Sequence, residues 1–168
     1  MKVAFVGKGG SGKSTVSAQF ITYLIGHRQQ MLAIDADINQ HLAGMIGAEL
    51  HPEKALYFGN NPIGIRSILC GTNKRIENAK RFVKTTPPGE GSHLVHLEDA
   101  DPLLSKFAVK FAGNHYFMHA GTYDKEGIGI SCYHSNLAVV ENILSHTVLE
   151  KNEWLVADMV AGTDARIG

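Results

Sequence analysis

The run GKGGSGKS, from Gly7 to Ser14, decides the fold of this chain. It follows residues 3–6, a short apolar run of valine, alanine and phenylalanine that predicts a buried β-strand. From Ser14 onward the apolar residues recur at helical spacing, and Gly26 marks the end of the helix. This order of strand, glycine-rich loop and helix is typical of a phosphate-binding loop.

Residues 31–34 predict a second buried strand, which ends at Asp35. Together with the first strand and helix it forms a βαβ unit, and such a unit almost always belongs to a parallel sheet with a right-handed crossover. Further strands are predicted at residues 93–97, 115–119 and 154–157, and further helices at 42–46, 63–69 and 137–148. We expect an α/β chain with the three-layer P-loop NTPase fold and a mostly parallel sheet.

Length and composition limit the remaining possibilities. A chain of 168 residues suits a single domain spanning residues 1–168, within which residues 48–127 carry no motif. The 16 basic and 16 acidic side chains balance, which excludes the overall positive field of a sequence-blind nucleic-acid binder. Two cysteines cannot form a disulfide framework, and no apolar stretch reaches membrane-spanning length. We expect a soluble, cytoplasmic chain, and nothing in the sequence points to a nucleic-acid or membrane partner.

The glycine loop satisfies the pattern G-x-x-x-x-G-K-[ST] between a strand and a helix. Its glycines let backbone N–H groups turn toward phosphates, and the helix N-terminus adds partial positive charge. Lys13 is expected to reach the β- and γ-phosphates, and the Ser14 hydroxyl to bind Mg²⁺. The predicted phosphate-binding residues are Gly7, Gly9, Gly10, Ser11, Gly12, Lys13, Ser14 and Thr15.

The same loop also contains a second known pattern. Gly7, Gly9 and Gly12 satisfy G-x-G-x-x-G, the fingerprint of dinucleotide-binding folds, in which Asp35 would bind the ribose. A dinucleotide loop has no use for the consecutive Lys13 and Ser14, whereas a triphosphate and its metal ion need both. The sequence therefore favours a nucleoside triphosphate.

The form Lys-Gly-Gly-x-Gly-Lys-Ser, from Lys8 to Ser14, resembles the deviant Walker A motif of the MinD/ParA/CooC class of P-loop ATPases. That resemblance implies ATP and Mg²⁺ as cofactors and Lys8 and Lys13 as catalytic residues. It further implies an ATP-dependent homodimer in which Lys8 reaches the phosphates bound by the partner subunit. An added cation at that position would stabilise charge on the leaving phosphate and couple hydrolysis to dimerisation.

Two acidic segments resemble the switches of this class. Asp35-Ala36-Asp37 resembles switch I, which implies that Asp37 is catalytic and orients or activates the attacking water, while Asp35 helps to hold Mg²⁺ or its water shell. The residues alone leave an alternative open, because two acids after a strand could cap the next helix. Asp158-Met-Val-Ala-Gly162 resembles switch II, with Asp158 in the Mg²⁺ shell and the Gly162 N–H sensing the γ-phosphate.

A cysteine and a histidine precede the predicted helix 137–148. CooC-type accessory ATPases carry a C-x-C pair in this region that binds metal between two subunits, whereas this chain has Cys132 and His134, a C-x-H pattern. Thiolate and imidazole from two chains would make a four-ligand site suited to zinc or nickel. In the alternative interpretation Ser131 or Ser135 caps the helix and Cys132 packs as a small apolar residue.

The resemblance implies a Mg²⁺-dependent ATPase that drives a dimer switch, with an accessory role toward a metalloenzyme, such as a nickel enzyme, as the preferred output. The alternatives are a partition or positioning ATPase of the ParA/MinD type and a binding module that holds a nucleotide or a protein partner without hydrolysis. The resembled class continues beyond switch II, where this chain stops at Gly168. We therefore expect the sheet to be incomplete at its C-terminal end.

Overall fold

The structure is a computed structural model that describes residues 1–37, 39–50, 61–76, 78–120 and 133–160, with the backbone alone for residues 133–137. Five strands and five helices lie within these ranges, in the order β1 (Lys2–Gly7), α1 (Lys13–Gly26), β2 (Gln30–Ala36), α2 (Leu42–Ile46), α3 (Pro62–Cys70), α4 (Pro102–Phe107), β3 (Val109–Phe111), β4 (His115–His119), α5 (Tyr133–His146) and β5 (Glu153–Val160). A 3₁₀ turn covers Ala79–Arg81, between α3 and α4. None of the described helices is long and apolar enough to cross a membrane.

The five strands form one sheet in the order β1-β5-β2-β4-β3. The first four strands in this order are parallel, and the short β3 pairs antiparallel with β4. The expectation of a mostly parallel α/β sheet is thus confirmed. Because β5 lies between β1 and β2, the end of β5 is placed between the glycine loop and the end of β2.

Helices cover both faces of this sheet. Alternate residues of β2 point to opposite faces: Met31 and Ala33 pack with α1 and α2, whereas Leu32 and Ile34 pack with α3, α4 and α5. All four side chains are fully buried, as expected for a parallel strand with helices on both sides. The three-layer arrangement follows directly from this pattern.

The prediction of a strand at residues 93–97 is wrong. Only Val95 makes a bridge, with Thr147, because the Val95 N–H donates to the His146 carbonyl and Val95 accepts from the Val148 N–H. Residues on either side of Val95 form hydrogen bonds outside the sheet, because the His93 ring and the His96 N–H both contact the buried carboxylate of Asp101. The segment is therefore held to a helix start and to the end of α5, outside the sheet.

Helix α4 and strand β3 were not predicted. Asp101 begins α4 by accepting hydrogen bonds from the Leu103 and Leu104 N–H groups, at 2.8 and 3.1 Å, and Pro102 occupies the first turn. An acidic cap followed by proline is a known helix-start signal, so α4 was predictable. The predicted helix 42–46 is confirmed as α2, and the helices predicted at 63–69 and 137–148 are confirmed as α3 and α5 with shifted ends.

Candidate functional site

The loop between β1 and α1 owes its shape to glycine. Gly10 and Gly12 have φ angles of 77° and 81°, in the left-handed region that side chains disfavour. The Ser11 N–H closes a tight turn on the Lys8 carbonyl at 3.2 Å, and a Cβ on Gly7 would collide with the Ser11 hydroxyl. Because Gly12 brings no side chain to cap α1, the first N–H groups of this helix are left to bind an external acceptor.

Lys13 and Asp37 join this loop to the segment after β2. The Lys13 ammonium forms an ion pair with Asp37 Oδ2, and the two side chains are only 8% and 5% exposed. The other carboxylate oxygen of Asp37 accepts from the Asn39 N–H at 3.0 Å and from its side-chain amide at 3.2 Å. Burial alone would raise the pKa of Asp37, but the contacts with Lys13 and Asn39 hold it below its ordinary value.

Asp158 lies in register with Asp35 on the neighbouring strand, and both side chains lie on the face covered by α1 and α2. Asp158 is fully buried, and neither of its carboxylate oxygens has a hydrogen-bond partner among the described residues. Burial raises its pKa, although the nearby Ser14 hydroxyl and the Lys13 charge act in the opposite direction. A buried carboxylate that forms no hydrogen bond of ordinary geometry and lies near a hydroxyl offers two oxygen atoms suited to a hard cation.

Asp35 is equally buried but has partners for both oxygens. Its Oδ1 accepts from the Asp37 N–H at 3.0 Å, and its Oδ2 accepts from the Leu42 N–H at 3.1 Å. Burial raises its pKa to about 6, against the lowering effect of these two hydrogen bonds and with a further increase from the charges of Asp158 and Asp37. The carboxylate thus contacts both ends of the segment between β2 and α2.

His119 is a residue of this edge that the sequence interpretation missed. It ends β4 in register with Asp35, is 5% exposed, and stacks on Phe117 with ring centroids 6.0 Å apart. Burial lowers its pKa to about 4, so the imidazole is neutral at physiological pH. The signal was available, because His119 is the last residue of β4, and Asp35 and Asp158 lie within two residues of the ends of β2 and β5.

The predicted residues therefore divide into three groups. Those brought together at the carboxyl edge of the sheet are Lys13, Ser14, Asp35, Asp37 and Asp158. The predicted phosphate-binding glycines and Ser11 form the loop between β1 and α1, where Lys8 is exposed, and Thr15 is exposed on the first turn of α1. Gly162 and Cys132 lie outside the described residues, and of His134 only the backbone in α5 is described. Within the described part of the chain, histidine, cysteine and acidic side chains form no cluster of three or more that could hold a metal ion.

Comparison with known proteins agrees with this geometry. A family model described as the CobQ/CobB/MinD/ParA nucleotide binding domain matches residues 3–162. The carbon monoxide dehydrogenase accessory protein CooC of Rhodospirillum rubrum is 29% identical over 164 residues, which cover 98% of this chain and 56% of that protein. An uncharacterized ATP-binding protein of Methanocaldococcus jannaschii is 26% identical with the same coverage. The chain thus spans little more than half the length of these relatives.

Proposed function

The chain belongs to the CobQ/CobB/MinD/ParA family of nucleotide-binding domains, and we propose that it binds ATP together with Mg²⁺ and hydrolyses it. The observation that carries this proposal is the buried Asp158 carboxylate, which forms no hydrogen bond of ordinary geometry with the described residues and lies near the Ser14 hydroxyl and the Lys13–Asp37 pair. An arrangement of this kind is costly in an ordinary protein core, and it is useful where a phosphate-bound cation must be held.

The triphosphate would lie on the glycine loop. Backbone N–H groups from Gly9 to Ser14 and the uncapped start of α1 suit its negative charge. Lys13 would exchange its contact with Asp37 for the β- and γ-phosphates, which places positive charge where it develops on the leaving group. The Asp37 carboxylate, released from Lys13, is then close to the position of an attacking water.

Ser14 and Asp158 are the residues that would hold Mg²⁺, a cation that prefers oxygen ligands. When bound, the ion supplies charge neutralisation to the β- and γ-phosphates. Asp37 would orient the attacking water while the oxygen of that water forms a bond to the γ-phosphorus. The bond to the β,γ-bridging oxygen breaks in the same reaction, which yields ADP and inorganic phosphate. The Gly162 N–H would contact the γ-phosphate.

A second copy of the chain would complete the site. Lys8 is exposed on the loop, so its ammonium group would be accessible to the phosphates bound by another subunit. One more cation at the leaving phosphate would accelerate cleavage, so that dimerisation and hydrolysis become coupled. The proposed output is therefore a nucleotide-dependent dimer switch.

We further propose an accessory role toward a metalloenzyme, on the strength of the similarity to the carbon monoxide dehydrogenase accessory protein. Cys132 and His134 from two subunits would then provide two thiolates and two imidazoles for zinc or nickel. Titration of the dimer with either metal tests this role. A stoichiometry that Cys132→Ser leaves unchanged would remove the cysteine from the site.

Calorimetric titration of the chain with MgATP tests the nucleotide site. We expect saturable binding that Lys13→Ala weakens at least about 100-fold, because a charge-assisted phosphate contact is lost. Lys106→Ala is the matched control, since Lys106 lies on α4 near Phe107 and away from the loop. Equal affinity for the two variants would exclude the proposed site.

A further inference from the structure

The loop between β2 and α2 is fixed at both ends by one side chain. Asp35 Oδ1 accepts from the N–H of Asp37, where the loop begins, and Asp35 Oδ2 accepts from the N–H of Leu42, where α2 begins. The two distances are 3.0 and 3.1 Å, and the Asp35 side chain is fully buried beneath the loop. A single carboxylate thus accepts hydrogen bonds from two backbone N–H groups, those of Asp37 and Leu42.

Helix α2 depends on this contact. It has five residues, its N-cap residue His41 makes no capping hydrogen bond, and its first turn carries no acidic side chain. The Leu42 N–H is one of the helix-start donors that has no acceptor within the helix. The Asp35 carboxylate satisfies this donor and places a negative charge at the helix start.

The loop itself is held in an unfavourable conformation. Gln40 has a φ angle of 50°, in the left-handed region, although it is not a glycine. Such a conformation persists only where the surrounding contacts impose it. Within this loop, the two hydrogen bonds to Asp35 and those from Asn39 to Asp37 are contacts that can impose it.

The register-paired carboxylates therefore differ in what they contact. Asp158 forms no hydrogen bond of ordinary geometry with the described residues, whereas the Asp35 oxygens accept from two backbone N–H groups, one in the loop and one at the start of α2. We infer that Asp35 is a positioning residue that acts through Asp37 rather than a ligand of the magnesium ion. It sets the loop so that the Asp37 carboxylate faces Lys13 and the phosphates. This inference rests on the proposed ATPase activity for its functional part.

Amide hydrogen exchange followed by NMR, without nucleotide, tests the structural part. In the wild-type chain the Leu42 amide is expected to be protected, although the first amide of a short helix normally exchanges as fast as a free one. Asp35→Asn should increase its exchange rate at least about tenfold, because an amide oxygen can serve only one of the two donors well. Asp158→Asn, a matched change in register on the next strand, should leave Leu42 unchanged. An unprotected Leu42 amide in the wild type would overturn the inference even if the variant failed to fold.

Magnesium dependence of phosphate release tests the functional part. Asp35→Asn should lower kcat about 10- to 100-fold through misplacement of Asp37, with the Mg²⁺ concentration for half-maximal rate changed less than about twofold. Asp158→Asn should raise that concentration about 10-fold or more. An equal rise in both variants would make Asp35 a metal ligand and overturn the inference. Absence of hydrolysis in the wild type would refute the proposed function, whereas the exchange experiment would still decide the role of Asp35 in the loop.

Discussion

The ammonium group of Lys13 forms an ion pair with the carboxylate of Asp37. This contact links the first residue of α1 to the segment that follows β2, so the residue expected to bind phosphate is paired with the residue expected to orient water. In the proposed function, a triphosphate would compete with Asp37 for the same ammonium group. Binding of the nucleotide would then release Asp37 from Lys13.

Asp37→Asn tests this competition. Removal of the carboxylate charge should tighten MgATP binding about fivefold, equivalent to about 1 kcal/mol for one ion pair that need not be broken. Hydrolysis should slow about 100-fold or more, because the group that orients water is lost. Both values follow from titration and phosphate release on the same samples. Asp99→Asn is the control, since Asp99 pairs with Lys110 outside the site; weaker binding by Asp37→Asn would argue against the competition.

Gly12→Ala tests whether the loop depends on left-handed backbone. With a φ angle of 81° at Gly12, an added Cβ should cost about 1 to 2 kcal/mol of unfolding free energy and weaken nucleotide binding. Thermal or urea unfolding measures the first effect, and calorimetry the second. Gly26→Ala at the end of the same helix meets open space and should be neutral or slightly stabilising. A tolerated alanine at position 12 would mean that the loop can take another conformation.

Acid should favour the folded chain through Asp35. Its pKa is raised to about 6 by burial, so between pH 4 and 6 the folded state binds more protons than the unfolded state at this residue. Its contribution to stability is therefore lost as pH rises through that window, by about 2 to 3 kcal/mol in total. The Asp35→Asn variant should not lose this stability, because asparagine does not ionise. As the pH rises through the window, urea unfolding should show the unfolding free energy of the variant increasing relative to that of the wild type. A difference in unfolding free energy that does not change with pH would contradict the raised pKa of Asp35.

His119 should have the opposite effect. Burial lowers its pKa to about 4, so below pH 6.5 the unfolded state binds the extra proton first and the folded state loses stability as the pH falls. His119→Gln keeps a polar side chain and removes this titration. In the same unfolding series, the unfolding free energy of the variant should increase relative to that of the wild type as the pH falls. A variant that gained toward neutral pH would show that the imidazole is charged in the folded state.

Much of the fold was predictable because its signals are local. The glycine loop, the helix after it and the strand before Asp35 are each specified by adjacent residues, and parallel strands bring their carboxyl ends to one edge. The convergence of Lys13, Ser14, Asp37 and Asp158 followed from that rule. The prediction of a strand at residues 93–97 was wrong because hydrogen bonds join this segment to Asp101 and to the end of α5. Periodicity within the segment does not reveal these partners.

The finer division of roles was not predictable. Asp35 and Asp37 are two residues apart and chemically identical, yet one contacts the backbone at both ends of a loop and the other pairs with Lys13. That difference depends on how the loop returns to α2, which the sequence does not specify. The capping alternative for these acids fits Asp35, since it accepts the first N–H of α2.

Steady-state release of inorganic phosphate by the purified chain with ATP and Mg²⁺ tests the central claim most directly. The account predicts a saturable rate that Mg²⁺ removal abolishes and that Lys13→Ala reduces at least about 100-fold, as expected when a transition-state cation is lost. The Lys106→Ala chain should match the wild type. A wild-type rate no higher than that of Lys13→Ala would contradict the claim that this edge of the sheet is an ATP-hydrolysing site.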